Sequence, residues 1–239
     1  MIVIKYGGSI LNPDGKYDEQ AIDSLAGLLA HHPKEIFCLI IGGGKICRRI
    51  QESALDLLTG VIPEDQKLTA SDEVGIAVTK INARYLLSRL QPRFGEDVCP
   101  EPVTDPHAKP PVGYRIYLAT GAKPGHSTDY DMMALAESFD ADRAIKISDF
   151  PVVLDVPALK FDKEKVSEYK PLPRMTWSKM RELVGDRWVA GGNYPLDPAA
   201  CRLGKGRAFK GFTLLIGQYS ELDKMVSGKD FKGTVVHGR

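Results

Sequence analysis

Three short glycine-rich segments of the chain have the composition of turns that bind phosphate groups. They are residues 7–9 (GGS), residues 42–44 (GGG) and residues 121–129 (GAKPGHSTD). Each follows an apolar run, and the last two lead directly into predicted helices. Glycine lets a backbone N–H approach an anion without an intervening side chain, and a helix N-terminus adds partial positive charge. The three segments together therefore predict binding of one phosphate-rich ligand, or of two ligands.

The same glycines have a simpler interpretation, because glycine also ends strands without any ligand. Each turn taken alone fits that interpretation as well as it fits phosphate binding. The presence of all three, with Lys5 and Arg48 beside them, favours phosphate. Neither GxxxxGK[ST] nor GxGxxG occurs, which argues against a P-loop or a dinucleotide-binding turn.

Lys5 lies inside an apolar strand sequence, IVIKY, two residues before Gly7. Burying an ammonium group without a partner is costly, so this lysine needs a counter-charge or a ligand. In phosphoryl transfer, a lysine at this point would neutralise the group being moved. The alternative is a lysine of an edge strand whose ammonium reaches solvent.

The elements that would position these residues alternate along the chain. IVIKYGG and IFCLIIGGG read as buried strands, and the helical spacing of apolar residues in YDEQAIDSLAGLLAHH places a helix between them. Further strands are predicted at RIYLATG, DRAIKIS, PVVLDV, GFTLLIG and GTVVH. This alternation predicts an α/β fold with a largely parallel sheet and helices on both faces.

The remaining helices are bounded by recognisable caps and breakers. One starts at Gly44, the next is predicted to be capped by Ser71 or Asp72, and another starts at TDYDMM. TWSKMRELVG has Thr176 as its cap and Gly185 as its stop, and DPAACRLGKGR and SELDKMVSG are two more. The proline-rich stretch from QPRF to VGY is predicted to be a loop with one short strand near residues 97–99.

Composition excludes several classes of protein. The 239 residues are 43% hydrophobic and 26% charged, and the net charge of +1 argues against a nucleic-acid partner. No apolar run has the length needed to span a membrane, so no membrane partner is expected. The first residues lack the pattern of a signal peptide, and a cytoplasmic protein is expected. The four cysteines are scattered without metal-type pairs, which predicts reduced thiols and no zinc site.

Several separate motifs, in order, resemble the amino acid kinase superfamily, and within it the uridylate kinases of archaeal type. The similar segments cover nearly the whole chain: KYGGSIL, IIGGGKICRR, DEVGIAVTKINARYLL, TGAKPGHSTD, AGGNYPLDPAA and GTVV. The resemblance implies a three-layer αβα sandwich with a mainly parallel central sheet. It also implies a single domain, 1–239, with an acceptor-binding portion over about residues 1–145 and a donor-binding portion over about residues 146–239.

For the donor and the chemical step, the resemblance implies roles at matching positions. Lys5 contacts the transferred phosphate, and Asp129 orients lysine or organises the site. The residues implied to hold the donor phosphates are Gly7, Gly8, Ser9, Ser148 and Asp149. From the residues alone, Asp129 is equally well explained as a first-turn carboxylate facing a helix dipole.

For the acceptor, the resemblance implies that Arg48 grips a phosphate, a bidentate task that suits guanidinium, and that Asp72 accepts hydrogen bonds from ribose hydroxyls. The other residues implied to contact the acceptor are Gly43, Gly44, Gly121, His126, Ser127 and Thr128. Asp72 also fits a helix cap. His126 suggests acid–base chemistry, but phosphoryl transfer needs none, which favours a hydrogen-bonding loop residue.

The match fails in two places. The uridylate kinase pattern T-N-V-D-G-V-Y, which holds the donor's adenosine, corresponds here to KISDFPVVLDVP, so a carboxylate, a glycine and an aromatic residue are missing. The proline-rich segment from Pro100 to Pro111 has no clear counterpart. The resemblance therefore leaves the mode of donor-base binding open.

The function implied is transfer of the γ-phosphoryl group of ATP to a small phosphate monoester, most simply UMP. Alternatives are isopentenyl phosphate, an aminomethylfuran phosphate, or a non-catalytic binding or storage role, against which Lys5 argues. Magnesium is implied with ATP and would be held by phosphates and water, so no protein metal cage is expected. The family also implies a homo-oligomer, either a dimer or a hexamer.

Overall fold

The computed structural model of the chain describes residues 1–189, 192–206 and 211–238, without the side chains of residues 64 and 65. The chain divides into two compact units. We call residues 5–128 the N-terminal unit, and residues 1–4 with the described residues from 129 onward the C-terminal unit. No helix within these described ranges combines the length and the apolar character needed to cross a lipid bilayer.

The described strands follow the order β3-β2-β1-β4-β6-β7-β5 in a seven-stranded sheet. They are β1 (Ile2–Tyr6), β2 (Phe37–Ile41), β3 (Ile116–Ala119), β4 (Arg143–Ile147), β5 (Arg174–Met175), β6 (Thr213–Gly217) and β7 (Gly233–Val236). The pairs β2–β3, β4–β6 and β5–β7 are parallel, and β6–β7 is antiparallel. The predicted α/β fold with a mainly parallel sheet is thus confirmed.

The helices of the N-terminal unit are α1 (Gly8–Leu11), α2 (Glu19–His31), α3 (Gly44–Leu58) and α4 (Glu64–Phe94). Helix α2 forms as predicted, because the carboxylate of Asp18 accepts the backbone N–H groups of Gln20 and Ala21 at 2.9 and 3.1 Å. Ile22, Leu25 and Leu29 of its apolar stripe are fully buried, and Leu28 is half-buried. The β1–α2–β2 order therefore delivers the first two glycine turns to the ends of adjacent strands.

The predicted start of α4 was wrong. The helix begins at Glu64, directly after Pro63, so Ser71 and Asp72 lie inside it and neither caps it. The reason is that no proline lies between Pro63 and Pro92, and the threonines, serines and single glycine of this stretch are tolerated in a helix interior. The helix also runs past Pro92 and ends at Gly95, whose φ is +54°. The strand predicted near residues 97–99 is reduced to a bridge between Val98 and Ile116.

The C-terminal unit contains α5 (Thr128–Ser138, apart from its first residue), α6 (Trp177–Val184), α7 (Pro198–Lys205) and α8 (Leu222–Ser227). The predicted cap of α6 is confirmed, since the Thr176 hydroxyl accepts the N–H of Lys179 at 3.2 Å. Its predicted stop, Gly185, has a φ of +72°. The last residue predicted for the α7 segment, Arg207, lies outside the described residues.

The strand predicted at PVVLDV was wrong. Residues 151–156 form a loop with a single bridge, between Leu154 and Pro171. Pro151 and Pro157 bracket this stretch, and each lacks the N–H that a strand ladder requires. The short strand β5 was not predicted, because two residues show no periodicity.

Candidate functional site

The first two glycine turns of the N-terminal unit contact each other backbone to backbone. A Cβ atom added at Gly8 would lie 2.2 Å from the backbone N of Gly44 and 2.6 Å from the carbonyl O of Gly42. Gly44 itself has a φ of +71°, a conformation that L side chains rarely adopt. These positions therefore require glycine for the fold of the turns.

Alanine at Gly8 should force the two turns apart. Overpacking of this kind costs about 1–3 kcal/mol of the free energy of unfolding. Gly7→Ala is the matched control, because a Cβ at Gly7 would meet nothing closer than the Ser9 hydroxyl at 3.4 Å. Chemical denaturation of both variants measures the difference, and equal stability of the two would contradict the observed contact.

Asn12 is a buried residue at these turns that sequence reasoning missed. Its Oδ1 accepts the backbone N–H of Lys45, in the first turn of α3, at 3.1 Å. Its Nδ2 is buried and has no hydrogen-bond partner among the described residues. An unsatisfied buried donor is uncommon and fits a site whose missing acceptor is an oxygen of a ligand.

The third glycine turn is attached to α4. The Asp72 carboxylate accepts the backbone N–H of Gly125 at 2.7 Å, so the structure brings these two predicted regions together. Asp72 is exposed on α4, while His126, Ser127 and Thr128 are half-buried. Asp72 therefore anchors the 121–128 segment to α4 at Gly125. It does not cap the helix, which was the alternative role predicted for it from sequence.

The two candidate cations of the N-terminal unit differ in environment. Lys5 is half-buried near the end of β1, a strand whose other residues are buried. Arg48 is exposed in α3, one turn beyond Gly44. The structure leaves the Arg48 guanidinium accessible to a ligand at the N-terminus of α3.

The C-terminal unit contains a buried ion pair between Asp129 and Lys146. Lys146 Nζ lies 2.7 Å from Asp129 Oδ2, and the two side chains are only 9% and 8% exposed. The same ammonium donates to the carbonyl O of Pro195 at 2.7 Å. Asp129 also accepts the backbone N–H of Asp197 at 3.1 Å. Asp129 thus connects α5, β4 and the start of α7.

Lys146 was missed by the sequence analysis, although a signal for it existed. It lies inside the apolar run RAIKI, just as Lys5 lies inside IVIKY. A lysine in a buried strand needs a partner at either position. The structure provides that partner for Lys146 in Asp129.

The predicted donor-phosphate residues of the C-terminal unit lie where β4 ends. The hydroxyl of Ser148 donates to the carbonyl O of Phe150 at 2.7 Å. Asp149 has an exposed side chain, and its carbonyl accepts a hydrogen bond from Gln218 at 3.2 Å. Ser148 therefore shapes the turn that follows β4, and Asp149 offers its carboxylate to solvent or to a ligand.

A mostly apolar cavity follows these two residues. Its volume is about 150 Å³, and apolar side chains between positions 150 and 156 line it together with Phe161, Val166 and Pro195. Asn193 supplies the only amide side chain of its described lining. This is the stretch in which the resemblance to the uridylate kinase pattern fails. The carboxylate, glycine and aromatic residue of that pattern are missing here, and the surface of the stretch is apolar.

The chain is similar to known kinases along nearly its whole length. A sequence model described as the amino acid kinase family matches residues 113–209. A uridylate kinase from Methanobrevibacter smithii is 30% identical over 240 residues, which covers 98% of each chain. A uridylate kinase from Natronomonas pharaonis is 29% identical over 209 residues, covering 84% of this chain and 83% of the relative.

Among solved structures, the uridylate kinase from Archaeoglobus fulgidus superposes with a TM-score of 0.76 at 24% sequence identity. The superposition covers 98% of this chain and 99% of that one. It establishes the same fold from end to end.

Proposed function

The chain is a kinase that belongs to the amino acid kinase family, and we propose that it transfers the γ-phosphoryl group of ATP to UMP, producing UDP and ADP. The observation that supports this most directly is the backbone contact between the turns at Gly8 and Gly44. Two glycine-rich turns of the kind that binds phosphate, in contact with each other, suit a reaction in which a phosphoryl group passes from one phosphate to another. Relatives named uridylate kinase, similar along nearly the whole chain, support UMP as the acceptor.

The residues at the first turn fit the phosphates of a nucleotide. Gly7 is half-buried, and a Cβ there would meet nothing closer than 3.4 Å, so its backbone is approachable. The orphaned Nδ2 of Asn12 lies at the neighbouring turn. Backbone N–H groups of residues 7–9 would hold donor phosphates. In the C-terminal unit, Ser148 and Asp149 are separate candidates for binding donor phosphate. Mg-ATP supplies the phosphoryl group and a stable leaving group. Lys5 neutralises the charge that develops on the transferred group.

The acceptor residues divide between phosphate and sugar. Arg48 and the N–H groups of Gly43 and Gly44 bind the acceptor's phosphate at the N-terminus of α3. Asp72 uses one carboxylate oxygen for Gly125 and the other for ribose hydroxyls. The segment that contains Gly121, His126, Ser127 and Thr128 borders the acceptor.

The apolar cavity suits the base of the donor. A purine ring gains from burial against Phe161 and the valines, and Asn193 is the amide available for its edge. This lining replaces the carboxylate, glycine and aromatic residue of the uridylate kinase pattern.

A homo-oligomer is part of the proposal. Leu57 and Leu68, on α3 and α4, are 80% and 77% exposed, and Val61 between these helices is 71% exposed. Large apolar side chains that are exposed to this extent favour burial against a second copy.

Arg48→Ala should raise the Michaelis constant for the acceptor about 10- to 100-fold and leave that of ATP nearly unchanged, because a charge-assisted bidentate contact to the phosphate is lost. Arg49→Ala is the control, since Arg49 is the next residue and is also exposed on α3. Initial rates at varied UMP and varied ATP measure both constants. Equal effects of Arg48→Ala on the two constants would contradict the assignment.

The proposed function is tested by ADP release from Mg-ATP across a panel of acceptors. The panel contains UMP, CMP, dUMP, isopentenyl phosphate and an aminomethylfuran phosphate. We expect a clear preference for UMP. Turnover with another monophosphate and none with UMP would overturn the proposed acceptor and retain the kinase, and tight nucleotide binding without any ADP release would favour a binding or storage role.

A further inference from the structure

The side chain of Asn82, in α4, forms hydrogen bonds with the backbone of the second glycine turn, residues 42–44. It is fully buried, and its Nδ2 donates to the carbonyl oxygens of Gly42 at 2.9 Å and of Gly43 at 3.1 Å. Its Oδ1 accepts the hydroxyl of Tyr17 at 3.0 Å. Both donors and the acceptor of the amide are therefore engaged, and its orientation is set by hydrogen bonds on both sides.

The direction of these carbonyls fixes the direction of the neighbouring N–H groups. In a trans peptide the C=O of one residue and the N–H of the next point in opposite directions. Because the carbonyls of Gly42 and Gly43 point at Asn82, the N–H groups of Gly43 and Gly44 point away from α4. These are the two N–H groups that the proposed function assigns to the acceptor's phosphate.

A second observation at the same turn points to an anion. Nδ2 of Asn12 is a buried donor without a partner among the described residues, while its Oδ1 holds the N–H of Lys45. A Cβ on Gly44 would lie 2.0 Å from that Oδ1, so Asn12 is in contact with the turn. The turn thus has two N–H groups directed away from Asn82 and an additional unsatisfied donor close to them.

Helix α4 also holds the third glycine turn. Thr79 lies three residues before Asn82, and its hydroxyl oxygen accepts the N–H of Gly121 at 3.0 Å while donating to Ile76 at 2.7 Å. Asp72, seven residues before Thr79 and so on the same face, holds Gly125. One continuous helix therefore sets the positions of two turns that follow different strands.

We propose that Asn82 is a positioning residue for phosphate recognition: it orients the Gly43 and Gly44 N–H groups toward an oxyanion, and α4 keeps this turn in register with the turn at Gly121. The inference deepens the proposed function and rests on it for the identity of the acceptor. The binding of an oxyanion by the N–H groups of Gly43 and Gly44 can be tested with inorganic phosphate alone.

The test is a titration of the ¹⁵N-glycine-labelled chain with inorganic phosphate, followed through the amide resonances of Gly43 and Gly44. We expect both to shift in the wild-type protein. In Asn82→Asp, an oxygen faces the two carbonyls in place of the NH₂ group, and the affinity for phosphate should fall about tenfold or more. Thr79→Val is the matched control, since it should disturb the Gly121 resonance and leave the Gly43 and Gly44 response intact.

If Asn82→Asp does not fold, as judged by thermal unfolding, Tyr17→Phe tests the same point. It removes only the hydroxyl that orients the amide and keeps the ring stacked on Tyr85, whose centroid lies 3.7 Å away. A smaller loss of phosphate affinity, about two- to fivefold, is expected. Unchanged affinity in every folded variant, or unshifted Gly43 and Gly44 resonances in the wild type, overturns the inference.

Repeating the titration with UMP and uridine separates the two proposals. The affinity for UMP divided by the affinity for uridine should fall about tenfold in Asn82→Asp, because only UMP carries the phosphate. The affinity for ATP should stay the same. A general loss of structure would weaken both ligands and leave the ratio unchanged, which also overturns the inference. A wild-type protein that binds phosphate at Gly43 and Gly44 but not UMP would refute the proposed acceptor and retain the role of Asn82.

Discussion

Replacement of Lys5 by alanine removes nearly all phosphoryl transfer and leaves the chain folded. Lys5 is half-buried near the end of β1, two residues before the Gly7 turn. Its ammonium is the cation that the proposed mechanism uses at the transferred group. Removing one such electrostatic contact costs about 10²- to 10³-fold in kcat. Steady-state ADP release measures the loss, and circular dichroism checks the fold.

Two further variants make the Lys5 result specific. Lys5→Arg retains the charge and should recover part of the turnover. Lys16→Ala removes an exposed lysine of the same unit and should change little. Wild-type turnover in Lys5→Ala would refute the proposed role of the first turn.

Replacement of Lys146 by methionine should strongly destabilise the C-terminal unit. The Asp129 carboxylate, only 8% exposed, would lose its cation at 2.7 Å. Leaving one charge of a buried pair without its partner costs about 3–5 kcal/mol. Urea denaturation followed by tryptophan fluorescence measures this, because Trp177 is buried in the same unit.

The double variant Lys146→Met/Asp129→Asn removes both charges and should regain much of that stability. It should not regain turnover, since Asp129 is a candidate organiser of the reaction. Arg181→Ala is the surface control: its partner Asp186 lies 2.6 Å away, but both side chains are exposed, and the denaturation midpoint should barely move. A Lys146→Met variant as stable as the Arg181→Ala variant would show that the buried pair contributes little.

The elements that could be predicted from sequence are those with a strong local signal. Helix α2 has an apolar stripe and an aspartate cap, and α6 has a threonine cap and a terminal glycine. The errors arose where local signals competed. Residues 151–156 have the valines of a strand but the prolines of a loop, and the start of α4 was placed at Ser71 or Asp72 although Pro63 marks it.

The segments that form the candidate site were predicted from sequence. The contacts between residues of different segments were not. Periodicity identifies elements but does not say which residues distant in sequence come into contact. The contacts of Gly8 with Gly44, of Asn82 with Gly42 and of Asp129 with Lys146 all join separate elements. Lys146 shows this most clearly, because its apolar sequence context resembles that of Lys5 and only the structure identified Asp129 as its partner.

The most direct test of the central claim is ³¹P NMR of the protein with Mg-ATP and UMP. We expect the γ-phosphate resonance of ATP to decline while the resonances of ADP and UDP grow in equal amounts, and Lys5→Ala to slow this change about 10²- to 10³-fold. A spectrum in which ATP and UMP persist unchanged with the folded wild-type protein would contradict the account.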